Sequence, residues 1–232
     1  DSIEPVLKQG TWGIGFIGLA EALIALIGEH HGESQRAREL GLRIVSFIRQ
    51  YTDKLIEETR LNWSCYATPA EGLSGKFIKH DKRIYGIIKG VTDKDYYTNS
   101  FHIPVSYSIS IKDKIEIEAP YHKLCNAGHI SYIEVDDSPS PEVIMDIINY
   151  AYKNTNISYI GVNFHIRYCK DCGESLTSNE SKCPKCNSRD IQGISRVTGY
   201  LSLDERFGPG KYEERIDRRS HTGSYKNNYE II

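Results

Sequence analysis

Cys169-Lys170-Asp171-Cys172 and Cys183-Pro184-Lys185-Cys186, with Arg196-Val197-Thr198-Gly199-Tyr200 close behind, form the stretch on which the reading of this chain turns. Four of the six cysteines sit in the two CxxC pairs. Each pair sets two thiolates on one tight turn, and two such turns facing each other make the tetrahedral sulfur set that zinc accepts. The ten residues between them, Gly173 to Lys182, are mostly polar and turn-forming. Gly173 and Pro184 suit knuckle-like turns. Cys169, Cys172, Cys183 and Cys186 are therefore the candidate metal ligands. Two disulfides, or a rubredoxin-like iron site, are the alternatives. The sequence carries no signal peptide and cytosolic chains rarely keep disulfides, so a metal and a cytoplasmic setting are expected. A closed four-cysteine site leaves no open coordination position, which points to a structural role.

Working outward, 232 residues suffice for one or two domains with a real core. The net charge of -2 gives no basic field, so no nucleic-acid partner is expected. No apolar run has the length of a membrane span, so no membrane partner is expected either. The chain opens at Asp1 and runs directly into Gln9-Gly10-Thr11-Trp12-Gly13, which reads as a segment of something longer.

Residues 16–29 are apolar at helical spacing and read as a buried helix. Residues 34–60 predict a long amphipathic helix with Ser34 as its cap and Leu40, Ile44, Val45, Ile48, Leu55 and Ile56 on the apolar side. Asn62–Tyr66 reads as a strand, and Thr68–Gly72 as the turn into another helix. Alternation predicts strands over Val105–Ile111, Ile115–Glu118 and His129–Val135. Ser140 and Pro141 open a helix over Glu142–Lys153. Ile157–Phe164 reads as an apolar strand leading into the cysteine pairs. Strands alternating with helices favour an α/β fold over 1–165. The expected division is 1–165 as α/β unit, 166–190 as knot, 191–223 as glycine-loop region and 224–232 as a loosely held tail.

Gly13-Ile14-Gly15-Phe16-Ile17-Gly18 spells GxGxxG. A dinucleotide site needs a preceding strand, and only Pro5-Val6-Leu7 and a polar turn come before, so the glycines read as close-packing positions at the start of a buried helix. Thr68 to Ser74 is a strand-to-helix turn whose free N–H groups and positive helix end suit phosphate. A capping box, with Thr68 as cap and Glu71 reaching back, fits the same residues without a ligand.

Arg196-Val197-Thr198-Gly199-Tyr200 resembles the signature of glycyl radical enzymes. A radical on a glycine Cα needs a residue with no side chain, so that the backbone can flatten and the unpaired electron can spread over both flanking amides; an ordinary turn glycine is the alternative. The wider chain resembles the C-terminal portion of anaerobic (class III) ribonucleoside-triphosphate reductases over essentially its whole length. The resemblance rests on Ile14–Leu19, Ala67–Leu73, Tyr96–His102, Glu118–Tyr121 and Asn126–Ile130, where relatives often carry Asn-Gly-Gly. It continues through the cysteine knot, Arg196–Leu201, Arg206–Gly208 and Gly210-Lys211. Pyruvate formate-lyase and the diol dehydratases share the glycine loop but lack the knot.

The resemblance implies part of a ten-stranded α/β barrel with a zinc knot and a C-terminal glycyl radical loop. It makes Gly199 the radical residue, generated by a separate activase carrying an iron–sulfur cluster and S-adenosylmethionine. It implies reduction of ribonucleoside triphosphates to 2′-deoxyribonucleoside triphosphates for DNA precursor synthesis. Formate or a thioredoxin-like dithiol serves as reductant, and the full-length protein is a homodimer. Thr68, Pro69, Ala70, Glu71, Gly72, Leu73 and Ser74 become the phosphate-holding turn. Asn99 and Ser100 become further substrate contacts, with His102 equally readable as a satisfied core residue. The loop with Thr198-Gly199-Tyr200 is expected to move between docked and released positions.

Two departures matter. The cysteine that becomes the family's thiyl radical lies before the helix that begins near Gly15, outside this sequence. Cys65 and Cys125 do not match it and read as packed, unreactive thiols. The chain by itself is therefore expected to be inactive as a reductase. Another glycyl radical enzyme, or a zinc-ribbon binding module without catalysis, are the alternative functions. The charges around the knot (Lys170, Lys182, Lys185 and Arg189 against Asp171, Glu174, Glu180 and Asp190) balance, which suits a solvated face.

Overall fold

The computed structural model describes residues 2–70, 72–135, 139–176, 180–197 and 199–221. After a short helix α1 (Glu4–Gln9), strand β1 (Thr11–Gly15) leads into helix α2 (Leu19–Ile27) and the long helix α3 (Gln35–Thr59). Strand β2 (Asn62–Tyr66) then returns parallel to β1, in register from Thr11↔Asn62 to Gly15↔Tyr66. Helices α4 (Leu73–Tyr85) and α5 (Ile111–Leu124) precede β3 (Ser131–Glu134). Helix α6 (Pro141–Asn154) carries the chain to β4 (Ile160–Asn163), which is parallel to β3. Ala127 joins the two pairs. Its N–H donates to the Cys65 carbonyl at 3.2 Å and its own carbonyl accepts from Ala67 at 3.2 Å. β1 and β2 pair in parallel, β3 and β4 pair in parallel, and the Tyr66↔Ala127 bridge between the pairs is parallel too, with helices in every crossover.

Local chemistry explains the helix starts. Ser34, Ser110 and Ser140 each accept a hydrogen bond from the N–H three residues on, closing α3, α5 and α6 at their N-termini. The apolar sides then meet in two clusters. Leu19, Leu23, Val45, Phe101 and Tyr121 pack under β1 and β2, with the Phe101 and Tyr121 rings stacked at 5.3 Å. Ile111, Ile115, Ala119, Ile133 and Ile147 pack under β3 and β4. Burial of such side chains contributes about 1.5–3 kcal/mol each.

Two expectations are corrected. Val105–Ile111 and Ile115–Glu118 are not strands: residues 105–110 are loop and turn, and 111–124 is α5. The isoleucines suggested a β pattern. However, Ile111, Ile115 and Ala119 are spaced by four and bury one helical face, while Lys114 pairs with Glu118 in the core one turn along. Secondly, a strand does accompany GxGxxG. Gly13 and Gly15 lie inside β1 rather than after it, and only Gly18, at φ 74°, forms the turn into α2. The three glycines therefore do not build one phosphate loop.

Beyond β4 the architecture changes to a four-stranded antiparallel sheet. Strands β5 (Ile166–Cys169), β6 (Ser175–Leu176), β7 (Ile191–Val197) and β8 (Tyr200–Leu203) lie in the order β6-β5-β7-β8. A 3₁₀ turn (Asp204–Arg206) and helix α7 (Pro209–Asp217) follow, packing back on the α/β body. The expected tail, 224–232, lies outside the described residues, as do 222 and 223. Among the described residues no helix is long and apolar enough to cross a membrane.

Candidate functional site

The two CxxC pairs converge. Cys169 ends β5, and the left-handed Gly173, at φ 74°, turns the chain after Cys172. The second knuckle closes with Asn187 donating its N–H to the Cys183 carbonyl at 2.9 Å. The four Sγ atoms lie within 4.8 Å of one another, with Cys169–Cys186 at 3.5 Å and Cys172–Cys183 at 3.4 Å. A tetrahedron with metal–sulfur bonds of about 2.3 Å has edges of about 3.8 Å, so this donor set fits one four-coordinate metal. No disulfide joins these cysteines.

The knot and the glycine loop share one sheet. β5 pairs with β7 from Cys169↔Ile191 to Ile166↔Ile194, and β7 pairs with β8 up to Val197↔Tyr200. Gly199 thus lies where the chain turns from β7 into β8, a position that favours glycine. Gly199 is exposed, and Thr198 lies outside the described residues. Asp204 braces the hairpin's base. Ser195 Oγ donates to its Oδ1 at 2.6 Å, while His165 Nε2 and Arg215 Nη1 approach its Oδ2 at 2.9 and 3.3 Å. Burial would raise its pKa, but the hydrogen bonds from His165 and Ser195 and the charge of Arg215 hold it below the ordinary value. A Cβ on Gly193 would overlap this carboxylate, which explains the glycine in mid-strand.

Helix α7 is tied to the body by charge. Arg218 pairs with Glu134 and, at 2.7 Å, with Glu214. Lys94 reaches Asp217 at 2.7 Å, the Asp95 N–H donates to Glu213 at 2.6 Å, and the Glu134 N–H donates to His221 Nδ1 at 2.9 Å.

The second candidate region lies at the C-terminal ends of β1 and β2, where parallel α/β folds bind ligands. Thr68, Pro69, Ala70 and Leu73 line a cavity of about 850 Å³ together with Phe16 and Ile17. Gly72 is the N-cap of α4 and has no side-chain cap. The capping box does not form around Thr68, whose Oγ1 donates instead to the Gly128 carbonyl at 3.0 Å. Glu71 lies outside the described residues. Asn99 supports the turn from behind, its Oδ1 accepting from the Ala70 N–H at 2.7 Å. Its Nδ2, and the Oγ of fully buried Ser100, have no hydrogen-bond partner. Ser100 holds φ 42°, a strained conformation for a serine. Ser74 is buried, and Ser74, Asn99 and Ser100 do not line the cavity. His102 is a core residue bonded to the Ile130 carbonyl at 2.7 Å.

Sequence reasoning missed two residues here. Glu21 sits on buried α2 and lines the cavity. One oxygen accepts from the Thr98 N–H and Oγ1 at 2.9 and 2.6 Å, and the other is unpartnered. Burial raises its pKa against those hydrogen bonds. A lone acid in an apolar helical run was the signal available. Gly128, at φ 54°, is the other, since a Cβ there would overlap Thr68 Oγ1.

With this geometry in hand, the comparisons with known proteins agree. The family model for anaerobic ribonucleoside-triphosphate reductase matches residues 1–221. The anaerobic ribonucleoside-triphosphate reductase of Escherichia coli (strain K12) is 39% identical over 237 residues, covering 97% of this chain and 33% of that protein. That of Enterobacteria phage T4 is 36% identical over 232 residues, covering 95% and 36%. Among solved structures, an anaerobic ribonucleotide reductase superposes with a TM-score of 0.74 at 19% identity, covering 91% of this chain and 34% of that one. The Thermotoga maritima enzyme in complex with dATP and CTP gives 0.69 at 19% identity, covering 90% and 33%. The chain thus spans about a third of the length of the relatives it matches. The chain belongs to the anaerobic ribonucleoside-triphosphate reductase family.

Proposed function

We propose that the intact protein reduces ribonucleoside triphosphates to 2′-deoxyribonucleoside triphosphates, with Gly199 storing the radical. The observation that carries this reading is the position of Gly199 at the turn between β7 and β8, one strand away from a four-thiolate knot. A glycine there can flatten and delocalise an unpaired electron with no side chain in the way. Cys169, Cys172, Cys183 and Cys186 hold zinc, which fixes the sheet and takes no part in bond making. The Thr68–Ser74 turn, braced by Asn99, receives the substrate phosphates on the N-terminus of α4. Ser100 and the free Nδ2 of Asn99 supply further polar contacts once the site is complete.

The order of β1 to β4 suits a ten-stranded barrel, with the remaining strands and the thiyl cysteine supplied by the rest of the protein. The described region is accordingly inactive alone. An activase with an iron–sulfur cluster and S-adenosylmethionine generates the radical, formate or a thioredoxin-like dithiol provides the electrons, and the intact protein is a cytoplasmic homodimer. The Thermotoga maritima structure with dATP and CTP supports nucleotides as ligands of such a protein. The test is anaerobic activation followed by exposure to air. Cleavage of the chain at Gly199 is expected, and is lost in Gly199→Ala. An intact chain after air exposure would remove Gly199 from this role.

A further inference from the structure

The C-terminal sheet touches the α/β body at a second place besides α7. Arg196 lies on β7, shortly before Gly199, and Tyr132 lies on β3 of the body. The Arg196 guanidinium stands over the Tyr132 ring, 5.2 Å from its centroid, within the range of a cation–π contact. Tyr132 is almost fully buried and Arg196 is half-buried. Among the described residues Arg196 Nε is buried and has no hydrogen-bond partner, so the ring face is a principal contact of this guanidinium.

The ring is held as a platform. Gly161 of β4 is in register with Tyr132, and a Cβ there would come within 3.1 Å of the ring. His102 meets the ring edge-on, with centroids 5.6 Å apart and planes at 79°, and is itself fixed by the Ile130 carbonyl. A strand glycine on one side and a fixed imidazole on the other set where the ring lies. Tyr132 and Glu134 are two apart on β3 and share one face of it. Glu134 pairs with Arg218, at the end of α7, while Tyr132 takes Arg196 from β7. One face of one strand thus receives the C-terminal region twice.

The two contacts differ in kind. Arg218 is largely buried between the carboxylates of Glu134 and Glu214, and parting from them would leave charge stranded in the interior. Arg196 parts only from a neutral ring. A contact of that kind shifts an equilibrium by roughly tenfold, enough to favour a seated position and little enough to be undone.

We propose that Tyr132 is the platform on which the glycine loop docks, with Arg196 as the positioning residue that seats Gly199 and lets it leave. The proposal rests on the reading of Gly199 as the radical residue. Arg218 stays clasped to Glu134 when Arg196 lifts from the ring, so the loop moves about a fixed α7.

The test compares the intact, metal-loaded protein with Arg196→Met, Tyr132→Leu and Tyr132→Phe. Hydrogen exchange over 194–203, read before activation, is expected to quicken roughly tenfold in Arg196→Met and Tyr132→Leu, with 166–176 unchanged. Tyr132→Phe keeps the ring face and is expected to stay within about twofold of wild type. After activation, Arg196→Met is expected to lose kcat for CTP reduction roughly tenfold with KM for CTP unchanged, because the loop and not the substrate has been displaced. Unchanged exchange over 194–203 in Arg196→Met overturns the proposal. So does equal loss in Tyr132→Phe and Tyr132→Leu, which would put the contact on the hydroxyl. Loss spread evenly over 166–203 also overturns it, since Arg196 would then brace the whole sheet. A wild type that gains no radical signal on activation counts against Gly199 as the radical store, while the exchange result still decides the Arg196–Tyr132 contact.

Discussion

The α/β body and the C-terminal sheet are held by different physics. The body rests on two apolar clusters drawn from helices α2, α3, α5 and α6 and strands β2, β3 and β4. The C-terminal sheet has a core of Cys169, Leu176 and Cys183, with Cys172 and Ile191 against it, and three of those five belong to the four-cysteine group that could hold a metal ion. Its ties to the body through α7 are ion pairs and hydrogen bonds. Apolar burial is non-directional and hard to undo locally, whereas a metal knot and polar ties are specific and reversible.

The largest expected effect breaks the comparison at the knot. Stripping the metal, or Cys169→Ser with Cys183→Ser, removes a contribution of order 10 kcal/mol in comparable sites. Hydrogen exchange over 166–203 is expected to lose protection while β1 to β4 keep theirs. Equal loss in both regions would erase the distinction. Next comes the body. Phe101→Ala empties a fully buried site stacked on Tyr121 and costs about 3–5 kcal/mol. The emission of Trp12 and Trp63, whose rings meet 5.6 Å apart across β1 and β2, reports it in a denaturant titration.

Acid sharpens the comparison further. Burial lowers the pKa of His31 to about 4, and burial with the nearby His129 does the same for His122. Folded values below the unfolded value of about 6.5 mean that the unfolded chain binds more protons in that interval. This stability is therefore complete above pH 6.5 and is lost as pH falls toward 4, by roughly 3 kcal/mol for fully buried His31. Denaturation midpoints at pH 7 and pH 5 check the sign, and a midpoint that rises on acidification would contradict it. The smallest effect is local. Ser34→Ala removes the α3 cap that accepts from Ala37 at 3.1 Å and costs about 1 kcal/mol, visible in the same titration.

How much the sequence told depends on how local the cause was. The α3 and α6 boundaries were legible because Ser34 and Ser140 cap them directly. The knot was legible because four ligand positions lie in one short segment. α5 was not, since Ile111, Ile115 and Ile117 fit a strand as well as a helix until Ser110 and the Lys114–Glu118 pair decide. β1 was hidden by its glycines, which pair only because β2 lies alongside. Glu21 and Gly128 owe their places to Thr98 and Thr68, residues far away in sequence.

The most direct measurement is electron paramagnetic resonance after anaerobic activation of the intact protein, metal-loaded and metal-stripped. The account predicts a doublet, split by the single Cα hydrogen of Gly199, in the metal-loaded sample. It predicts loss of that doublet on stripping, with the tryptophan emission of the body unchanged. A doublet of equal size without the metal, or one that survives Gly199→Ala, would contradict it.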